Sequence, residues 1–276
     1  MIRYEELTKR YRDHLAVDRL SLRIEPGEVV ALLGPNGSGK TTTLKAAAGL
    51  LAPTAGRVLV GGAAPSRPDA RAILSYLPQK VAFPESLTGW EVVDFYRKLR
   101  SVDSGRADEV LRFASLNGSS GRAVGTYSGG MVQRLGLAVA MLPDTPLMLL
   151  DEPTAALDPI GLTAFYEVVD AAKERRRTIL FTSHQLGDVE RLADRVAILV
   201  EGKLAGVFSQ RELAASLGER GVMRVQTSRG EIAITGPPSN RPRALDEIRS
   251  GGVEILSLTI EECRLDTLYR ELVTHD

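Results

Sequence analysis

The chain has 276 residues, enough for one large domain or for one domain with a small appendage. Its 35 lysines and arginines balance 35 aspartates and glutamates, so no net charge draws it to nucleic acid or to an anionic membrane. One cysteine, Cys263, excludes an internal disulfide, and with only three histidines it argues against a zinc or copper centre built from this chain.

The residues from Met1 to Glu6 lack the apolar core of a secretory leader, and no run approaches the roughly 20 apolar residues that span a bilayer. The expectation is a soluble, cytoplasmic chain that reaches any membrane through a partner. Apolar residues alternate with polar ones at Ile2 and Tyr4, then at Leu20, Leu22 and Ile24, which predicts antiparallel strands closed by a Pro26-Gly27 turn. Tyr11, between them, reads on spacing alone as a strand aromatic packed on the core.

The run Val29 to Leu33 predicts a buried strand, and Thr42 to Ala48 a helix ended by Gly49. Between them lies Gly34-Pro35-Asn36-Gly37-Ser38-Gly39-Lys40-Thr41, the pattern G-x-x-x-x-G-K-[ST] in its required strand–loop–helix setting. Glycines let successive backbone N–H groups face a phosphate, and the helix N-terminus adds positive potential. Lys40 would reach the β- and γ-phosphates, and the Thr41 hydroxyl would ligate Mg²⁺.

Gly56 to Gly62 reads as a strand entering a turn, and Ile73 to Gln79 as a strand ending on glutamine. From Phe83 to about Tyr127 the pattern is helical, with an apolar stripe at Leu87, Val92, Val93, Phe95, Tyr96 and Leu99. Tyr127-Ser128-Gly129-Gly130 opens a further helix with Ser128 as its N-cap, leaving N–H groups for a second oxyanion. A plain glycine loop is the bland alternative there. Leu147 to Leu150 is continuously apolar, as a central parallel strand is, and ends on Asp151 and Glu152. At the carboxyl end of such a strand Asp151 can hold Mg²⁺ and Glu152 can deprotonate water, unless both simply cap a helix. Thr178 to Ser183 forms another strand, ending on His184, and a hairpin over residues 195–207 closes the core. Arg175-Arg176-Arg177 reads as a solvated helix end. Beyond about Leu217 to Gly221 the composition shifts. Strands at 222–227 and 231–235, a helix at 244–249, a strand at 253–258 and a helix at 265–273 predict a small α+β appendage.

Taken together, the stretches from about Met1 to Phe208 resemble the nucleotide-binding subunit of ATP-binding-cassette transporters. Six motifs fall in the family's order: the phosphate loop from Gly34 to Thr42, Gln79, the signature Tyr127 to Met131, the strand from Leu147 to Glu152, the loop Ala156-Leu157-Asp158, and His184. The signature departs from the usual L-S-G-G-Q at Tyr127 and Met131. The resemblance implies an α/β P-loop NTPase core with an antiparallel β subdomain. It places residues 1–209 in the cassette, with a helical subdomain at about 84–130, and residues 220–276 in an accessory domain. It further implies ATP and Mg²⁺, with Tyr11 stacked on adenine and Gln79, Thr41 and Asp151 at the metal. Lys40, Gln79, Glu152 and His184 would act in hydrolysis. Ser128, Gly129, Gly130 and Asp158 would meet nucleotide across a head-to-tail dimer of identical chains. The partner it implies is a polytopic permease, which would hold the ATPase at the inner face of the membrane.

Short stretches, Lys80-Val81-Ala82-Phe83, Tyr127 to Ala138 and Leu157 to Ile160, resemble the copper-processing ATPases of nitrous-oxide reductase maturation, and the tail resembles the small domain that follows many exporter ATPases. A drug or lipid exporter ATPase and a soluble single-cassette assembly ATPase are the alternatives.

Overall fold

A computed structural model describes residues 1–213 and 222–261. The long strands β1 (Ile2–Tyr11) and β2 (His14–Ile24) are followed by β3 (Val29–Leu33), α1 (Lys40–Ala47) and β4 (Ala55–Val60). Next come α2 (Pro68–Ala72), β5 (Leu74–Leu77), α3 (Gly89–Leu99), α4 (Gly105–Phe113), α5 (Gly129–Met141) and β6 (Leu147–Leu150). The first unit, Met1–Val207, ends with α6 (Pro159–Glu174), β7 (Thr178–Ser183), α7 (Leu186–Leu192), β8 (Arg195–Val200) and the start of β9 (Lys203–Ser209).

Two sheets follow from two hydrophobic patterns. Strands β3, β6 and β7 are buried at every residue, which suits strands covered on both faces. They lie inside a six-stranded sheet of order β5-β6-β7-β3-β8-β9, in which the pairs from β5 to β8 are parallel. Deleting a buried leucine from β6, as in Leu149→Ala, costs about 2–5 kcal/mol by cavity formation. By contrast, β1 and β2 alternate buried and exposed residues and join β4 in an antiparallel sheet of order β2-β1-β4. Buried Tyr4 ties that sheet to the first helix, donating from its hydroxyl to the Thr43 carbonyl at 3.3 Å.

The parallel register places the carboxyl ends of β3, β6 and β7 side by side, with Leu33 opposite Ser183 and Leu150 opposite Phe181. Ligands of open α/β sheets bind at that edge.

Several expectations need correction. Strand β5 stops at Leu77, so Gln79 stands in the loop beyond it. The apolar stripe of α3 divides: Val92 and Val93 are buried, whereas Phe95 and Leu99 are exposed, as is Trp90 outside the stripe. Arg177 is not a solvated helix end. It is buried, and its guanidinium donates to the carbonyls of Thr145 (2.6 Å) and Pro143 (3.3 Å), leaving Arg175 and Arg176 as the solvent-facing members.

The second unit, Phe208–Asp276, contains an antiparallel sheet of order β11-β10-β12, formed by β10 (Val222–Thr227), β11 (Gly230–Thr235) and β12 (Ile255–Glu261). Helix α8 (Arg241–Ser250) lies between β11 and β12 in the chain. The last strand begins two residues later than its sequence pattern predicts. Cys263 and the helix expected at 265–273 lie outside the described residues. Among the described residues no helix is long and apolar enough to cross a membrane.

Candidate active site

The loop between β3 and α1 is fixed mainly by backbone. Gly39 caps α1 at φ 96°, a left-handed conformation, and a β-carbon there would stand 2.5 Å from the Ala16 carbonyl oxygen. Strand β2 therefore presses on the loop so closely that only glycine fits. Ser38 is gripped from the other side, its carbonyl accepting from Gly202 N at 3.2 Å, while the Gly202 carbonyl accepts from Asp18 N at 2.9 Å. Gly202 belongs to the two-residue Glu201-Gly202 turn between β8 and β9, both residues at positive φ, as a tight hairpin requires. In sequence it reads only as hairpin punctuation.

Lys40 is buried, and its ammonium donates to the carbonyls of Gly34 (2.8 Å) and Pro35 (3.0 Å). Desolvation lowers its pKa, against the nearby Glu152 and Asp151 carboxylates. Thr41 Oγ1 donates to Asp151 Oδ1 at 3.0 Å, which joins the loop to the end of β6. Thr182, on β7, donates to the same oxygen at 2.8 Å and accepts from Glu152 N at 2.7 Å. One threonine thus holds the Asp151 carboxylate and the Glu152 backbone. Nothing in the sequence singles it out beyond its place two residues before His184.

Burial raises the Asp151 carboxyl above its ordinary value, although the Thr182 and Thr41 hydrogen bonds oppose the rise. Its Oδ2 is buried with no hydrogen-bond partner. Glu152 holds a positive φ of 47°, unusual for a residue with a β-carbon. Its Oε2 accepts from Gln79 Nε2 at 2.9 Å and lies 3.6 Å from His184 Nδ1. Neither acid caps a helix. Behind them, buried Asp188 accepts from the hydroxyls of Thr154 and Tyr166, each at 2.6 Å, and so ties the loop after Glu152 to the helix after His184.

These groups border a cleft of about 400 Å³, a size suited to a small-molecule ligand. Its lining contains Asn36, Gly37, Ser38, Gly39, Lys40, Thr41 and Thr42 from the loop, with Gln79 and Glu152 opposite. Tyr11 lines it too. The tyrosine is 46% exposed, with Lys9 Nζ 5.0 Å from its ring centroid, so the core-packed reading of Tyr11 fails. His14 and Ala16 complete the wall and were not expected there.

Thr41 Oγ1 and the free Asp151 Oδ2 suit a small hard cation. Among the described residues no three His, Cys, Asp or Glu side chains gather to hold an ion. A cation at Thr41 and Asp151 would take its other ligands from Gln79 across the cleft, from phosphate or from water.

Ser128, Gly129, Gly130 and Asp158 do not line the cleft. They form a second cluster. Ser128 caps α5, its Oγ accepting from Met131 N at 3.2 Å, and Asp158 caps α6, accepting from Gly161 N at 2.8 Å. A β-carbon on Gly130 would lie 3.1 Å from the Ala156 carbonyl, and buried Arg134 pairs with Asp158 at 3.6 Å. The two helix starts therefore stand together, with amides directed away from their own helices.

Comparison with known proteins agrees with this geometry. The family model described as "ABC transporter" matches residues 17–155. The ABC transporter ATP-binding protein YxlF of Bacillus subtilis (strain 168) is 40% identical over 219 residues, covering 77% of this chain and 72% of YxlF. The linearmycin resistance ATP-binding protein LnrL of the same organism is 31% identical over 234 residues, covering 83% and 75%. Among solved structures, the cassette MJ0796, captured as a dimer in a post-hydrolysis state with ADP and Pi, superposes with a TM-score of 0.71 at 25% identity. That match covers 76% of this chain and 99% of MJ0796.

Proposed function

Because this chain belongs to the ABC transporter family, as an ATP-binding, ATP-hydrolysing subunit, we propose that it works as a head-to-tail dimer driving an exporter of amphipathic antimicrobial or lipid-like compounds. The observation that carries the dimer is the separation of the two clusters. Within one chain the phosphate-loop cleft is lined without Ser128, Gly129 or Gly130, which instead gather at the start of α5. A two-fold pairing gives each cleft the other chain's Ser128, Gly129 and Gly130, and the dimeric form of MJ0796 supports that arrangement.

In this reading the amides from Asn36 to Thr42 and the Lys40 ammonium take the phosphates, and Lys40 leaves the carbonyls of Gly34 and Pro35 to do so. Tyr11, exposed at the cleft wall, stacks on adenine. Thr41, Asp151 and Gln79 would hold Mg²⁺, which when bound offsets the phosphate charge. Glu152 accepts the proton of the attacking water, with its carboxylate held by Gln79 and its backbone by Thr182. His184, beside Glu152, keeps the γ-phosphate in register.

The membrane partner is a polytopic permease, and Phe95 and Leu99, one turn apart on the exposed side of α3, are the surface it would press on. The linearmycin resistance relative supports the antimicrobial class of cargo. The copper-processing reading rests on short sequence stretches alone and stands second. The test is a pull-down of the tagged Glu152→Gln chain from detergent-solubilised membranes of its own host with ATP and Mg²⁺. A stoichiometric polytopic membrane protein is the expected companion. Recovery with soluble partners only would replace this reading with the assembly-factor one.

A further inference from the structure

The departure at Tyr127 has a structural counterpart 38 positions earlier, at Gly89. Tyr127 precedes the capping Ser128 and donates from its hydroxyl to the Ser119 carbonyl at 2.8 Å. The same loop receives the first amides of α3, with Trp90 N donating to the Ser120 carbonyl at 2.8 Å and Gly89 N to that of Arg122 at 3.3 Å. A β-carbon on Gly89 would stand 2.3 Å from the Tyr127 hydroxyl oxygen and 3.1 Å from Cζ, and its next neighbour, the Ser120 carbonyl, is at an ordinary 3.5 Å.

Gly89 has no other reason to be glycine. It is not among the positive-φ positions, and α3 is already started by Thr88 and Glu91 in a reciprocal capping box. At the first position of a helix alanine is the better helix former. The demand for glycine comes from the tyrosine hydroxyl.

We propose that Tyr127 is a positioning residue that latches the start of α3 to the Ser128 loop, so that load on the exposed Phe95 and Leu99 face of α3 moves the backbone offered to the partner's nucleotide. The latch rests on the dimer reading above. A leucine at position 127 fills part of the space but cannot bond to Ser119, so the link would be looser with the family's usual residue.

The test places Tyr127→Phe, Tyr127→Leu, Gly89→Ala and the double variant Gly89→Ala/Tyr127→Leu in the Glu152→Gln chain. Three quantities are measured: ATP affinity of the monomer, the dissociation constant of the ATP-bound dimer by sedimentation, and amide exchange of residues 128–132 without nucleotide. Tyr127→Phe and Gly89→Ala should each weaken dimerisation about five- to tenfold and speed exchange near Met131, leaving monomer ATP affinity unchanged. In the Tyr127→Leu background, Gly89→Ala should add nothing. The latch is overturned if Gly89→Ala is as damaging there as in the parent, or if Tyr127→Phe alters neither exchange nor dimerisation. Should the Glu152→Gln parent fail to dimerise with ATP, the dimer reading falls, and the exchange data alone decide whether Tyr127 holds the loop.

Discussion

The cleft around Lys40 and the cluster around Ser128 are built by opposite means. In the cleft, buried strand ends carry the chemistry, and the polar groups brace one another: Thr41 on Asp151, Thr182 on Asp151 and on the Glu152 amide, Gln79 on the Glu152 carboxylate. Around Ser128, the polar groups cap helices, and the neighbouring α3 shows apolar side chains to solvent. A catalytic centre gains from rigid preorganisation, whereas a surface that closes against another molecule keeps its donors uncommitted.

Substitutions can separate the two regions. The largest effect belongs to Glu152→Gln: steady-state turnover should fall about 10²–10⁴-fold while ATP still binds and dimers accumulate, as followed by phosphate release and light scattering. Unimpaired hydrolysis would remove Glu152 from its role. Next, Lys40→Ala and Ser128→Ala should fail differently. The first should weaken nucleotide binding by the monomer roughly ten- to a hundredfold, through loss of a charge-assisted contact. The second should leave that affinity intact and weaken only ATP-driven dimerisation. Equal loss of monomer binding in both variants would erase the distinction between the regions.

A smaller effect tests the support beneath the carboxylates. Thr182→Val keeps the shape of the side chain and removes both hydrogen bonds, so kcat should drop about tenfold with ATP affinity near normal. Thermal unfolding should move down by roughly 1–3 kcal/mol, because Glu152 N and Asp151 Oδ1 lose a buried partner. The smallest effect has the opposite sign. With nucleotide and Mg²⁺ removed by chelation, the folded chain holds the Asp151 proton to a higher pH than the unfolded chain does. Its contribution to stability is greatest below the ordinary carboxylate range and is lost as pH rises through the folded value. Asp151→Asn should therefore flatten that slope and raise Tm at neutral pH by roughly 2–4 °C. A variant less stable than the parent at neutral pH would refute the burial argument.

Much of the cleft and of the Ser128 cluster is legible in the sequence because the signals are local. An uninterrupted apolar run before the phosphate loop, another ending on Asp151 and Glu152, and a serine before two glycines each determine their own geometry. What is not legible is the cross-bracing. Thr182 and Gly202 act through partners 30 or more and more than 160 residues away, and neither leaves a periodic trace. Arg177 misleads for a related reason. Within a run of three arginines it resembles a solvated helix end, yet the carbonyls of the 143–145 loop satisfy its donors and allow burial. The exposed Phe95 and Leu99 mislead in the other direction, since helical spacing identifies a stripe but not what covers it.

The backbone at Glu152 carries one more consequence. A carboxylate held at φ 47° stands where a β-carbon is disfavoured by about 1 kcal/mol and where glycine would relax the chain. A laboratory selection for heat resistance alone would thus find Glu152→Gly attractive and would recover robust chains that no longer turn over. Durability and catalysis compete at this single torsion angle, and a library sorted on both traits at once would show that competition as depletion of glycine at position 152.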